Sequence, residues 1–396
     1  MLMIYRRHIF RYEEKDMQKK LIALAVAGLA AVPAIAADSS VTLYGLLDMG
    51  YSWRGSNYID GMKSRSGFDS GQLSGTRLGV KGMEELSPGF KAIFTVEAGI
   101  FADTGSSQPN GLAWGRQAFA GFDVQGTTIT LGRQYTPAFN MYATYEPFGL
   151  GSVAQTNNIF THIVARADNS LNVSTPFFGD IFAVEANYSL NESGQETGQD
   201  KAIQDTLGIK ADKRYASIFP KLHYGPATLM AGYTQEKVKG GQNSNTFIDV
   251  GLNLDFKVAQ IFGAYARVNY GTDDFGNAYR VTVDSLGYLN DDPNGQKLKF
   301  NRWFLGGKVP LGNFNLLASY AYSKDKNDAN MKAQQFGLGG TYAFSKRTDV
   351  YAVFSRIIAS DGTKRNLDIY EPQVGDATNS GDGYRSGVQL GMRHTF

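Results

Sequence analysis

Histidine stands at four places only, His8, His162, His223 and His394, too far apart in sequence to show ligand spacing or a base beside a nucleophile. Cysteine is absent, so thiol chemistry, thiolate metal sites and disulfides are excluded. No G-x-S-x-G elbow occurs, and Gly337-Leu338-Gly339-Gly340 lies inside an alternating strand pattern, where it cannot cradle a phosphate. The acid-and-amide run 325–330 lacks the twelve-position calcium loop with its terminal Glu and is expected to be a solvated loop. No constellation meets the requirements of an active site, so a lipase- or protease-like barrel is disfavoured and no cofactor or metal is expected. What chemistry remains is carried by arginines and carboxylates, whose effect depends on where the fold puts them.

Those positions are set by strands. Val41, Leu43, Leu47 and Met49 alternate with Thr42, Tyr44 and Asp48. Leu78, Val80 and Gly82 alternate with Arg77, Gly79 and Lys81; after Leu86-Ser87-Pro88-Gly89, Phe90, Ala92, Phe94 and Val96 oppose Lys91, Thr95 and Glu97. A period of two gives each strand one apolar and one polar face. On that count Arg77 projects from a polar face, whereas strict alternation sets Arg133 on the same face as Ile129 and Leu131. The unit recurs over 181–190, 247–257, 261–270, 303–309, 314–323, 336–344, 350–358 and 387–396, with weaker strands around 169–175 and 215–224. The total is about sixteen strands, to within about two.

The N-terminus has a different pattern. Met17-Gln18-Lys19-Lys20 is a positive n-region, 21–31 an apolar h-region, and Ala34-Ile35-Ala36 an A-x-A cleavage site, so residues 1–36 are expected to be a secretory signal peptide. Residues 1–16 stand outside that pattern, as if the start were assigned too far upstream. The chain carries 39 basic and 37 acidic residues; losing 1–36 leaves 33 and 34, a net charge of −1. The apparent excess of base therefore says nothing about nucleic acid, and export makes such a partner unexpected. Residues 37–396 then form one domain.

Two architectures use such strands, a soluble sandwich or propeller and a closed membrane barrel. Short turns such as Gly225-Pro226 and Pro310-Leu311-Gly312-Asn313 alternate with longer polar stretches, 191–205, 271–296, 324–330 and 361–383, which is the membrane-barrel pattern. Closure also satisfies every backbone amide and carbonyl within hydrocarbon. The fold class is accordingly all-β, a transmembrane antiparallel barrel whose lumen is too wide for side chains to fill. The connection 136–165 is the exception to polarity: it carries Pro137, Phe139, Met141, Tyr142, Tyr145, Pro147, Phe148 and Ile159, and a stretch that apolar packs against something. It either enters the barrel or lies as a lid across its mouth.

Several stretches resemble the general porins of β-proteobacteria and Neisseria, a branch of the trimeric sixteen-stranded porins. They are Ser39-Ser40-Val41-Thr42-Leu43-Tyr44-Gly45, the run from Arg77 to Leu86 with Gly89-Phe90-Lys91-Ala92, Arg116-Gln117-Ala118-Phe119, and Thr130-Leu131-Gly132-Arg133-Gln134-Tyr135-Thr136-Pro137. Asn169-Ser170, Thr175-Pro176 and the final Gly391-Met392-Arg393-His394-Thr395-Phe396 complete the set, in order along nearly the whole mature chain. The resemblance implies a passive diffusion channel for small hydrophilic solutes and ions, with a third extracellular loop folded into the barrel. It also implies a constriction in which Arg77, Arg116, Arg166 and, less directly, Arg133 face Glu146 and favour small anions. Glu146-Pro147 departs from the family, which often places the acid after the proline. Further implications are a homotrimer, contact with outer-membrane lipids and lipopolysaccharide, and an assembly signal for the outer-membrane insertion machinery. That signal is Phe396 with Met392 and Leu390, which share one face of the last strand with Val388 and His394. The alternatives are a substrate-specific outer-membrane channel, which would saturate with its ligand, and an adhesin-like structural barrel.

Overall fold

Strands that are oily on one side and polar on the other are satisfied together in a sheet closed on itself, lipid outside and water within. The computed structural model describes residues 39–55, 64–109, 111–160, 162–190, 213–238, 244–270, 299–326, 332–360 and 385–396. The cleavage residues Ala34 and Ala36 lie outside them. Along the chain run β1 (Ser39–Arg54), β2 (Arg65–Ser70), β3 (Arg77–Ser87), β4 (Phe90–Phe101), β5 (Ser106–Gln108), β6 (Gln117–Val124) and β7 (Thr127–Tyr135). There follow α1 (Pro137–Thr144), β8 (Arg166–Ser174), β9 (Phe182–Ser189), β10 (Lys213–Tyr224), β11 (Ala227–Val238), β12 (Asn245–Asp255) and β13 (Gln260–Asn269). Last come β14 (Lys299–Leu311), β15 (Phe314–Asp325), β16 (Lys332–Ala343), β17 (Thr348–Ala359) and β18 (Ser386–Thr395).

All pairings are antiparallel neighbours, and β1 closes the ring on β18 from Leu46 opposite Thr395 to Arg54 opposite Gly387. Among the described residues eighteen segments occupy sixteen barrel positions, because β2 and β3 share the place beside β1, and β5 and β6 the place beside β4. The barrel expected from periodicity is therefore present. β15 runs on to Asp325, two residues beyond the stretch its alternation outlined.

The outward positions are the large apolar side chains left exposed, among them Leu43, Leu131, Leu305, Leu338 and Phe354, as lipid contact requires. Inward positions are less uniform than alternation foretells. Asp48, Glu97, Asp249, Arg302, Gln335 and Gln389 are buried and polar, yet Phe219, Phe247, Phe262, Phe304 and Val353 also point inward from β10 to β17. They form one apolar cluster with Met141, Tyr142, Tyr145, Phe148 and Phe160 of the 136–165 connection. That connection therefore packs against the inner faces of the wall, and its apolar character is explained.

A second inward feature breaks the β2–β3 position. Between these segments 71–76 leaves the sheet and is held by Asp48: Gly71 N donates to its carbonyl at 2.7 Å, and Leu73 N and Ser74 N to Oδ2, each at 2.7 Å. Tyr351 donates to Oδ1 of the same carboxylate at 2.5 Å. The result is a rigid inward shelf, and Gly149 and Gly151 of the long connection lie against its backbone at Gly71, Gln72 and Leu73.

Candidate functional site

The site is an arginine-bearing wall formed by β1 and β3–β8, with the 136–165 segment crossing the lumen from it. Tyr44, Gly79 and Glu97 fall in one row of the sheet. A Cβ on Gly79 would collide with the Tyr44 ring; its absence lets that ring lie flat across the strand and donate to Glu97 Oε2 at 2.9 Å. Glu97 Oε1 accepts from Arg116 Nε at 2.8 Å, and Arg116 Nη2 donates to the Tyr135 hydroxyl at 2.6 Å. Arg166 stacks over the Tyr135 ring at 4.9 Å from its centroid. Arg77 donates from Nε to the Gly75 carbonyl at 2.9 Å and feels the charges of Arg116 and Glu97. Thus Arg77, Arg116 and Arg166 gather around one tyrosine and one carboxylate.

Arg133 joins this group at its margin. The ladder between β7 and β8 slips beside Arg133: Gly132 pairs with Ser170 and Gln134 with Ala167, so the extra residue stands on β8, at Asp168 and Asn169. The Arg133 guanidinium pairs with Asp168, and its Nε donates to the Gly115 carbonyl at 2.6 Å. The strand does not end at Arg133 but continues to Tyr135, and Arg133 pairs with Ala118 of β6.

Glu146 sits elsewhere. It is 7 % exposed, its Oε1 accepts from Thr156 N at 2.6 Å, and among the described residues no ion pair joins it to an arginine. Burial raises its carboxyl well above the ordinary range, partly opposed by the Thr156 hydrogen bond. It ties α1 to the returning half of its own segment. The acid bonded to Arg116 is Glu97, whose parity already placed it inside.

The segment is fastened to the far wall by a buried network. Phe139 stacks on Tyr135 at 4.7 Å where the segment departs. Across the lumen Tyr142 donates to Asp249 Oδ1 at 2.6 Å, and His162 Nε2 meets the same oxygen at 2.8 Å. Arg302 Nη1 lies 2.9 Å from His162 Nδ1. A guanidinium can only donate, so Nδ1 accepts, Nε2 carries the proton, and the imidazole is neutral. Burial depresses the His162 pKa in agreement, with Asp249 opposing. Farther along, Val153 N donates to Gln389 Oε1 at 2.8 Å and Gln335 Nε2 to the Gln155 carbonyl at 3.1 Å. Nothing in the spacing of His162, Asp249 and Arg302 announced this cluster; only the inward parity of Asp249 and Arg302 could have pointed to it.

Leu390, Met392 and Phe396 lie on the outer surface, each about half exposed. Phe396 exchanges both backbone hydrogen bonds with Gly45, each at 3.1 Å, and its ring occupies the space a Cβ on Gly45 would fill.

An inward-folded segment opposite a cationic wall in a sixteen-position barrel is the geometry of a diffusion pore. The family model described as Gram-negative porin matches residues 23–362. The chain is a Gram-negative porin. It is 29 % identical to an outer membrane porin protein of Bordetella pertussis and 28 % identical to outer membrane porin protein 32 of Delftia acidovorans, each alignment covering 96 % of this chain and 100 % of the relative. The anion-selective porin from Comamonas acidovorans shares the fold, with a TM-score of 0.69 at 24 % identity, over 91 % of this chain and 100 % of that one. OmpT of Vibrio cholerae does so at a TM-score of 0.60 and 15 % identity, over 91 % and 99 %. This porin is thus an outer-membrane channel protein and not an enzyme.

Proposed function

We propose that this porin is a passive channel for small hydrophilic solutes with a modest preference for anions, set by Arg77, Arg116, Arg166 and Arg133. The observation that carries the proposal is the charge balance of one wall: four guanidinium groups are met by two carboxylates, Glu97 and Asp168. The surplus positive charge lies in a narrowed passage with low-dielectric walls, where a fixed charge acts on a passing ion far more strongly than in open water. Glu146 supports the passage by holding the segment's shape. The anion selectivity named for the Comamonas acidovorans porin supports the same direction.

The test is a planar-bilayer recording in a salt gradient. Arg77→Gln, Arg116→Gln and Arg166→Gln are each expected to move the zero-current potential toward cations; an unchanged potential in all three would overturn the assignment. Current growing in proportion to solute concentration marks a general pore, and saturation a substrate-specific one. Assembly as a homotrimer is part of the proposal, with conductance steps expected in threes. So is cleavage after Ala36, read by N-terminal sequencing of the exported protein.

A further inference from the structure

The shelf at 71–76 has a root and a tip with different partners. At the root Asp48 is engaged through its backbone as well as its carboxylate. Its N–H donates to Thr76 Oγ1 at 3.0 Å, and that hydroxyl donates to the Asp48 carbonyl at 3.1 Å. Ser70 Oγ donates to Thr76 Oγ1 at 3.0 Å, and Gln72 Nε2 to the Gly50 carbonyl at 2.6 Å. With Leu73 N and Ser74 N on Oδ2 and the Tyr351 hydroxyl on Oδ1, the carboxylate accepts three hydrogen bonds.

The hold comes from both sides of the closing seam. Tyr351 stands on β17, which pairs with β18 and not with β1. Its ring reaches Asp48 by lying over Gly391 of β18, where a Cβ would fall 2.3 Å from the Tyr351 hydroxyl. Arg393 of β18 donates from Nη1 to Ser74 Oγ at 2.8 Å while Asp349 of β17 holds its Nε and Nη2.

The tip meets the arginines. Arg77 Nε donates to the Gly75 carbonyl, and a Cβ on Gly75 would stand 2.4 Å from Arg116 Nη1. Gly75 is not among the residues with positive φ, so what its missing side chain supplies is room for that guanidinium. Asp48 itself bonds to neither arginine among the described residues.

We propose that Asp48 is a positioning residue for ion selection: with Tyr351 it fixes the shelf whose tip sets where the Arg77 and Arg116 guanidinium groups stand. The inference rests on the reading that these arginines face the ion path. Its sign separates it from direct electrostatics. A carboxylate inside the barrel favours cations by its own charge, so its removal would move the zero-current potential toward anions. Loosening the shelf frees the arginines from one fixed place, and a charge spread over many positions acts less on a passing ion. The potential then moves toward cations.

The test is the zero-current potential in a salt gradient for Asp48→Asn, Tyr351→Phe and Gly75→Ala. Each is measured alone and in an Arg77→Gln/Arg116→Gln background. Asp48→Asn is expected to move the potential toward cations. Tyr351→Phe, which alters no charge, is expected to move it the same way by less. Gly75→Ala changes it because the new methyl displaces Arg116. In the background lacking both arginines none of the three moves the potential further toward cations, since coupled positions are not additive. Heat-modifiable gel mobility verifies folding; if Asp48→Asn does not fold, Tyr351→Phe and Gly75→Ala decide. Lowered thermal stability with an unchanged potential shows a structural role only and overturns the proposal. A shift toward anions in Asp48→Asn, or equal shifts with and without the arginines, overturns it too. An unchanged potential in Arg77→Gln/Arg116→Gln itself overturns the reading of the arginines and this inference together, whereas a shift there with none in the shelf variants overturns this inference alone.

Discussion

Glu97 tempers the arginines around it. It is buried, hydrogen-bonded by Tyr44 and Arg116, and removing one partner of such a pair leaves the other charge uncompensated, at a cost of about 3–5 kcal/mol. Glu97→Gln is therefore expected to shift the zero-current potential further toward anions while lowering the thermal stability of the folded barrel. Arg116→Gln should move the potential the other way with a similar stability loss. Equal potentials in the two variants would show that this pair does not face the ion path. Arg77, which makes one backbone hydrogen bond among those seen, is expected to change selectivity with less effect on stability.

Among the elements, the 136–165 segment packs on the inner faces of the wall, and its anchors decide whether it stays. Asp249→Asn weakens the acceptor shared by Tyr142 and His162 and removes a negative charge that Arg302 feels. Single-channel conductance is expected to rise and become noisier, because the segment loses its hold on β12 and β14. Proteolysis of the native protein within 136–165 should quicken as well. The same anchors give a pH dependence with two opposed limbs. His162 has a lowered pKa in the docked segment, so its contribution is complete above the ordinary histidine value of about 6.5 and is lost as pH falls through the depressed value. A proton on Nδ1 would face the Arg302 guanidinium. Glu146 has a raised pKa, so its contribution is complete below the ordinary glutamate value of about 4.3 and is lost as pH rises through the raised value. Conductance noise measured against pH is expected to lose its acid limb in His162→Gln and its alkaline limb in Glu146→Gln. Retention of both limbs in both variants would refute this account.

For the whole molecule, the decisive event is closure of β1 on β18. The last bonds of that seam are the two between Gly45 and Phe396, with the ring lying over the glycine. Gly45→Val is expected to displace the ring and slow the appearance of the heat-modifiable folded form, as is deletion of Phe396. A variant that folds at the wild-type rate from detergent but assembles slowly in cells would separate recognition of the terminus from the stability of the seam.

Much of this was open to a reader of the chain alone. Period-two alternation sets an inside and an outside wherever one face meets lipid, so the barrel, the inward direction of Arg77 and Glu97, and the outward face of Leu390, Met392 and Phe396 followed from local pattern. The apolar content of 136–165 required a packing surface, though not which one. Tertiary structure decided the rest, because contacts between distant segments leave no local trace. The slip of β8 against β7 sets Asp168 beside Arg133, whose guanidinium it pairs with, and Tyr135 collects arginines from separate positions in the chain. Glu146 is claimed by Thr156 within its own segment, and Asp249, His162 and Arg302 meet only when the barrel is closed with that segment inside. Sequence thus determined which faces meet lipid and water; three-dimensional packing determined which charges meet each other, since that depends on register and on a crossing of the lumen that no short-range periodicity encodes.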